Sequence, residues 1–367
     1  MIGHMVPKAI CLCCILAAAG FAQAPDDVVF RQKFQGDTGN WTILGQHASM
    51  APSPDSRSLA FTYEVAPKIF SGLVSPAPAD FAKMQRMRFH VKTDHATAMA
   101  ILISEKKPGG GNYSTWFWSP ANTWQWVEVT PADFSLNDGP GDPKDTDGKL
   151  DLADVEGFGL FDLGSFFAQT PANADFPVMV QVDKGQHTAI LDGFEVLSSP
   201  PAPPRLSADG IRIGTLDRSF IDWVTLGGMD LKLNAGENPL KAPALEVSYK
   251  QAEGQFQVLL RRVAGSEMAK AKRLVFDVAS EHDITLMISL EMTKPGGGQG
   301  PRFTLPIYPP GGKEVIHVNL DLSDFQGDGK FDPAQWRSLA IADITVAGGG
   351  APDANTIWIG NLAAMKE

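Results

Sequence analysis

Cysteine is nearly missing from this chain of 367 residues. There are three, Cys11, Cys13 and Cys14, all within the first 24 positions. The remainder therefore has no disulfide, no thiol nucleophile and no thiolate metal ligand. Positive charge is also in deficit: 31 Lys and Arg stand against 42 Asp and Glu, a formal net charge of −11. That balance excludes a protein that grips nucleic acid by neutralising phosphates, and it disfavours polyanionic glycans for the same reason. After the N-terminal segment no apolar run approaches the roughly 20 residues needed to span a bilayer. Helical periodicity of useful length is missing too; Leu152–Val155 and Ser266–Lys272 allow a turn or two.

Several chemistries lack their signatures. The seven histidines (His4, His47, His90, His95, His187, His282 and His317) show no His-Glu-x-x-His spacing and no close pair on one strand or helix, so no zinc site is expected. No Gly-x-Ser-x-Gly elbow occurs, and the Gly-rich turns at 109–111, 296–298 and 348–350 lack the Lys-Ser/Thr of a phosphate loop. A glycosidase would need two opposed carboxylates in a cleft. The two domains argued below account for the chain without a separate catalytic one, so no enzymatic activity and no catalytic residue are expected.

What is present begins with a leader. Lys8, the apolar stretch Ala9–Ala19 and Ala22-Gln23-Ala24 have the order of a secretory signal peptide, with cleavage expected after Ala24 and a secreted or periplasmic destination.

The strongest pattern is an internal repeat. Lys107-Pro108-Gly109-Gly110-Gly111 returns as Lys294-Pro295-Gly296-Gly297-Gly298, an offset of 294 − 107 = 187. Leu59–Tyr63 returns as Leu245–Tyr249, Met87–Val91 as Leu274–Val278, and Asp147–Asp151 as Asp328–Asp332, all in the same order. Between the copies, Pro200-Pro201-Ala202-Pro203-Pro204-Arg205 cannot join a sheet ladder and favours extended polyproline II. The expected organisation is a leader over 1–24, domains over 25–199 and 206–367, and a linker over 200–205. Each copy consists of short alternating runs broken by Gly, Pro and Asp. Examples are Met99–Ile103 and Ile284–Leu290, each running into the Lys-Pro-Gly-Gly-Gly turn, with closing strands expected at Val178–Val182 and Ile190–Leu197. Both domains should be all-β sandwiches of jelly-roll type.

One run carries a family resemblance. Trp124-Gln125-Trp126-Val127-Glu128-Val129 is followed by Asp133-Phe134, then Asp147–Leu152, then Val155-Glu156-Gly157-Phe158-Gly159. This resembles the galactose-binding-like β-sandwiches of bacterial carbohydrate-binding modules and of the complex I intermediate-associated protein. The likeness covers most of the first copy; the second lacks the Trp and is weaker. It implies a polysaccharide or oligosaccharide ligand, with an envelope protein as the alternative partner. In that family Trp124 would be a framework residue at the sheet edge. The resemblance raises structural calcium as the one cofactor, with no assignable ligand set. Asp145–Asp151 resembles an EF-hand loop, but Pro143 stands first and Asp154 twelfth, so it reads as an acidic turn.

Sugar-binding sandwiches stack pyranose faces on exposed rings. Trp116 and Trp118 align at the repeat offset with Phe303 and Leu305 and are expected on the core face. Val127 and Val129 match Val318 and Leu320 and should also face inward, which turns Trp126 and Glu128 outward. The expected platform is Trp126 with Phe117 and Tyr113, and Glu128 and Asn112 as hydroxyl partners. The equivalent second-copy residues, Thr304, Val315, His317 and Asn319, make a poor stacking surface.

Overall fold

The computed structural model describes residues 28–366 apart from 55–56, 138–140, 169–181, 201–209, 214–215, 217–219, 221–222, 227, 252–256, 264–267, 295–298 and 352. The expected leader, the expected linker from Pro201, most of the strand expected at Val178–Val182 and the second Pro-Gly-Gly-Gly turn lie outside the described residues.

Among its described residues, the first half contains the strands β1 (Val28–Gln32), β2 (Thr42–Gly45), β3 (Ala48–Pro52), β4 (Leu59–Val65), β5 (Ser71–Pro76), β6 (Arg86–Thr93), β7 (Thr97–Glu105), β8 (Asn112–Ser119), β9 (Gln125–Val129), β10 (Ser135–Leu136), β11 (Val155–Asp162) and β12 (Gly185–Leu197). One sheet runs β3-β4-β12-β6-β9 with β1 also on β12; the other runs β10-β8-β7-β11-β5-β2. Every strand pairing within these sheets is antiparallel. Alternation builds the core between them. Phe61, Tyr63, Phe89, Val91, Val127 and Leu191 point in from one sheet, and Met99, Ile101, Phe117, Phe158 and Leu160 from the other, all at most 3% exposed.

The second half repeats this with β13 (Gly210–Arg212), β14 (Trp223–Leu226), β15 (Asp230–Asn234), β16 (Ala244–Lys250), β17 (Gln257–Arg262), β18 (Arg273–Ser280), β19 (Leu286–Thr293), β20 (Gln299–Ile307), β21 (Ile316–Asp321), β22 (Gln326–Gly327), β23 (Trp336–Asp343) and β24 (Ala354–Met365). Its sheets run β15-β16-β24-β18-β21, with β13 also on β24, and β14-β17-β23-β19-β20-β22. No strand of one half pairs with a strand of the other among the described residues. The chain is two tandem all-β sandwiches.

The first Lys-Pro-Gly-Gly-Gly turn shows why glycine is needed there. A Cβ on Gly110 would lie 2.5 Å from Glu105 Cβ and 2.6 Å from the Lys106 carbonyl oxygen. Glu105 is buried and accepts from the Gly111 and Asp151 amides at 2.9 and 2.5 Å, which ties this turn to the acidic turn. In the acidic turn the Asp145 carboxylate accepts from the amides of Asp147 and Gly148, and Asp147 from that of Lys149. These carboxylates bend the backbone by side-chain capping, as their Asp-x-Asp-Gly pattern favours.

The halves also pack against each other. Trp118 and Ala98 belong to the same buried cluster as Phe220, Trp223 and the second sandwich's core. The Arg262 guanidinium lies 4.4 Å from the ring centre of Trp116 and donates to the Asp133 carbonyl at 2.9 Å.

Candidate functional site

The outward face of β6 and β9 carries the candidate binding surface. Val127 and Val129 are fully buried, so strand alternation turns Trp126 and Glu128 to the outside. Across the ladder His90 stands opposite Trp126 and Arg88 opposite Glu128. The His90 imidazole stacks on both indoles, 4.6 Å from Trp124 at 29° and 4.9 Å from Trp126 at 14°. The Lys92 ammonium lies 5.3 Å from the centre of the Trp124 ring. Burial between the indoles pushes His90 below the usual imidazole range, against the opposing pull of the Asp192 carboxylate. Trp124 is therefore part of an exposed strip, 39% exposed, and not simply an edge framework residue; Trp126 is 53% exposed.

Beyond the rings the face is charged but paired. Arg86 donates to Glu128 at 2.9 Å, while Arg88 and Arg31 converge on Glu195 at 2.6 and 2.5 Å. Glu128 thus sits beside the rings as expected, with one oxygen already held by a guanidinium.

Tyr113 and Phe117 are not on this face. They lie on β8 in the opposite sheet, point into the core and are 2% and 0% exposed, so neither can stack a sugar. The Tyr113 hydroxyl donates to Asp145, and burial, then this bond, raises it above the ordinary phenol range. Asn112, also on β8, accepts from Ser104 at 3.0 Å and is likewise far from Trp126 in the sheet order. The cause is a change of register in the repeat. Ile103 and Leu290 correspond at 290 − 103 = 187, but their partners Tyr113 and Phe303 correspond at 303 − 113 = 190. The turn between is three residues longer in the second copy, and an odd insertion exchanges the faces of the following strand. Trp116 and Trp118 are largely withdrawn from solvent, as expected of core positions, but they point away from their own core toward the second sandwich.

Those two tryptophans line a cleft of about 1310 Å³ between β7 and β8 of the first half and the sheet containing β17, β19 and β23 of the second. Arg262, Glu291, Arg302 and Asn137 add polar groups. Its indoles are committed to domain packing, Trp116 beneath Arg262 and Trp118 only 6% exposed.

Among the described residues of the second half, the equivalent strip carries no indole. His317 occupies the place of Trp126 and hydrogen-bonds Asp277, which occupies the place of His90, at 2.7 Å. Val315 and Asn319 are exposed there, while Thr304 lies on β20 in the other sheet.

No protein-family model matches the chain, and no curated protein sequence matches it. Solved structures do. It is similar to a family 11 carbohydrate-binding module from Clostridium thermocellum in complex with a beta-1,3-1,4-mixed-linked tetrasaccharide, at 15% identity and a TM-score of 0.35, covering 48% of this chain and 98% of that one. It is similar to the tandem CBM22-1–CBM22-2 domains of Paenibacillus barcinonensis Xyn10C, at 11% identity and a TM-score of 0.31, covering 94% and 99%. A family 30 module of a Clostridium thermocellum cellulosomal cellulase matches at 15% identity and a TM-score of 0.32, covering 40% and 92%. The two-sandwich architecture itself rests on the sheet pairings described above. No helix among the described residues is long and apolar enough to cross a membrane.

Proposed function

We propose that this is an exported, non-catalytic carbohydrate-binding protein whose first sandwich takes a neutral glycan on the Trp126 surface. The observation that carries this reading is the exposure of Trp126. It is the most open indole among the described residues, 53% exposed, with the His90 imidazole stacked on it. An apolar ring flanked by mutually neutralised Arg and Glu side chains suits a ligand that is uncharged, C–H-rich on one face and hydroxylated at its rim. Export rests on the leader over residues 1–24, and the arrangement is completed by sandwiches over 25–199 and 206–367 joined by the Pro-rich linker over 200–205.

The test is affinity electrophoresis and calorimetry against a panel of soluble neutral polysaccharides. Trp126→Ala is expected to weaken binding by about tenfold, the order of one lost stacking contact, with the circular dichroism spectrum unchanged. Retained affinity in Trp126→Ala would remove this surface from the site. A wild-type protein silent across the panel would overturn the glycan reading and turn attention to an envelope protein as partner.

A further inference from the structure

Outside that surface, two histidines 187 − 95 = 92 positions apart meet at one end of the first sandwich. His95 lies in the turn from β6 to β7, and His187 on β12 stands opposite Tyr63 of β4. The turn is clipped to β12 by Asp94, whose amide donates to the Thr188 carbonyl at 3.0 Å and whose Oδ2 accepts from the Thr188 amide at 2.8 Å. This brings the imidazoles face to face at 3.7 Å. Asp94 Oδ1 then lies 2.9 Å from His95 Nδ1 and 3.4 Å from His187 Nδ1.

The far nitrogens fix the chemistry of the near ones. His187 Nε2 is 3.0 Å from the Asp183 carbonyl oxygen, which can only accept, so Nε2 carries the proton. His95 Nε2 is 3.0 Å from Oδ2 of Asp162, a fully buried carboxylate that also accepts from Tyr63, Thr97 and Gly164. In neutral imidazoles both Nδ1 atoms are then lone pairs, and both face a carboxylate oxygen. With both rings neutral, three acceptors converge with no donor among them; a single proton on His95 Nδ1 would bond Asp94 at 2.9 Å but leave the His187 Nδ1 lone pair facing the same oxygen at 3.4 Å. Two protons would supply donors but would stack two imidazolium rings at 3.7 Å. One divalent cation would satisfy all three once the rings, stacked at 27° to each other, splay enough for both in-plane Nδ1 lone pairs to point at it.

We propose that Asp94, His95 and His187 form a binding site for a divalent transition-metal ion of the zinc class. Ligands at about 2.0–2.1 Å around a tetrahedral ion stand about 3.3 Å apart, and the two oxygen–nitrogen separations here, 2.9 and 3.4 Å, bracket that edge. The ligand atoms all lie within 4.8 Å of one another. Each histidine's distal N–H is oriented by an acceptor, one a buried carboxylate, as metal-binding histidines require. Two imidazoles and one carboxylate select zinc and its neighbours over calcium and magnesium, which prefer all-oxygen shells. The side chain of Asp94 is 42% exposed, so a fourth position opens to solvent.

The second sandwich shows that the fold does not need this cluster. It keeps the equivalent tyrosine–aspartate pair, Tyr249 and Asp343 at 2.6 Å, but places Asn355 where His187 stands. The His95 equivalent, His282, is largely exposed beside Asp353.

The experiment uses the untagged mature chain from Pro25 to Glu367, which carries no cysteine, stripped with chelator and titrated with zinc chloride by calorimetry, with cobalt absorption as a spectroscopic stand-in. One ion is expected to bind per chain, and calcium chloride to give no comparable heat. His187→Asn copies the residue the second sandwich tolerates, and Asp94→Asn keeps the clip to Thr188. Each is expected to lower zinc affinity by about 100-fold or more, since even outer partners cost about 10–100-fold, while the metal-free melting temperature stays near wild type. His282→Asn and His317→Asn should change nothing. Absence of saturable zinc binding in the wild type would overturn the site, as would affinity unchanged in both His187→Asn and Asp94→Asn.

Discussion

Asp162→Ala is expected to melt the first sandwich about 10 °C or more below wild type while leaving the second sandwich's transition in place. Asp162 is 0% exposed and accepts from Gly164 N at 2.6 Å, Tyr63 OH at 2.7 Å, Thr97 Oγ1 at 2.8 Å and His95 Nε2 at 3.0 Å. Burial alone would raise this carboxyl; the hydrogen bond and charge of His95, then the Tyr63 and Thr97 hydroxyls, hold it below the ordinary range. Burial would likewise lower His95, but the bonds and charges of Asp162 and then Asp94 raise it.

Removing the carboxylate strands four donors in a dry interior. Breaking one buried pair costs about 3–5 kcal/mol, against about 5–15 kcal/mol for a whole domain. At about 2–4 °C per kcal/mol for a domain this size, the shift is large. Differential scanning calorimetry of the chelator-treated protein measures it, and an unshifted first transition would contradict the network's role. Asp343→Ala is the matching experiment in the other half. Asp343 accepts from Tyr249, from the Thr345 amide at 2.9 Å and from the Thr345 hydroxyl at 2.6 Å.

Trp118→Ala should uncouple the two sandwiches. Its indole is 6% exposed within the second sandwich's core cluster, and its amide donates to the Phe220 carbonyl at 3.4 Å. Truncating a buried Trp costs about 3–5 kcal/mol. Because Trp118 faces away from its own core, that cost falls on the contact between the halves. Small-angle scattering is expected to show a larger radius of gyration, and the lower of the two sandwiches' calorimetric transitions should fall in temperature as it loses the support of its partner. A variant with wild-type scattering and calorimetry would show that Trp118 does not join the halves. The Arg262 stack on Trp116 offers a milder version, since a cation over an indole contributes about 0.5–2 kcal/mol.

The duplication, the all-β class and the outward orientation of Trp126 and Glu128 were legible from the order of residues. All three depend on local rules: repeated turn residues, and alternation along a single strand whose neighbours Val127 and Val129 are plainly core. Alternation misled one strand away, where comparing copies at a constant offset of 187 put Trp116 and Trp118 inside and Phe117 outside. Three extra residues in one turn reversed the faces, and no residue within β8 announces that reversal, because both of its faces are apolar. One covers its own core and the other meets the second sandwich. The pairing of His95 with His187, and of each with Asp94, had no local spacing to betray it. A strand ladder brings together residues 92 positions apart by closing a sheet, and only the closed sheet could decide which side chains share that end of the sandwich.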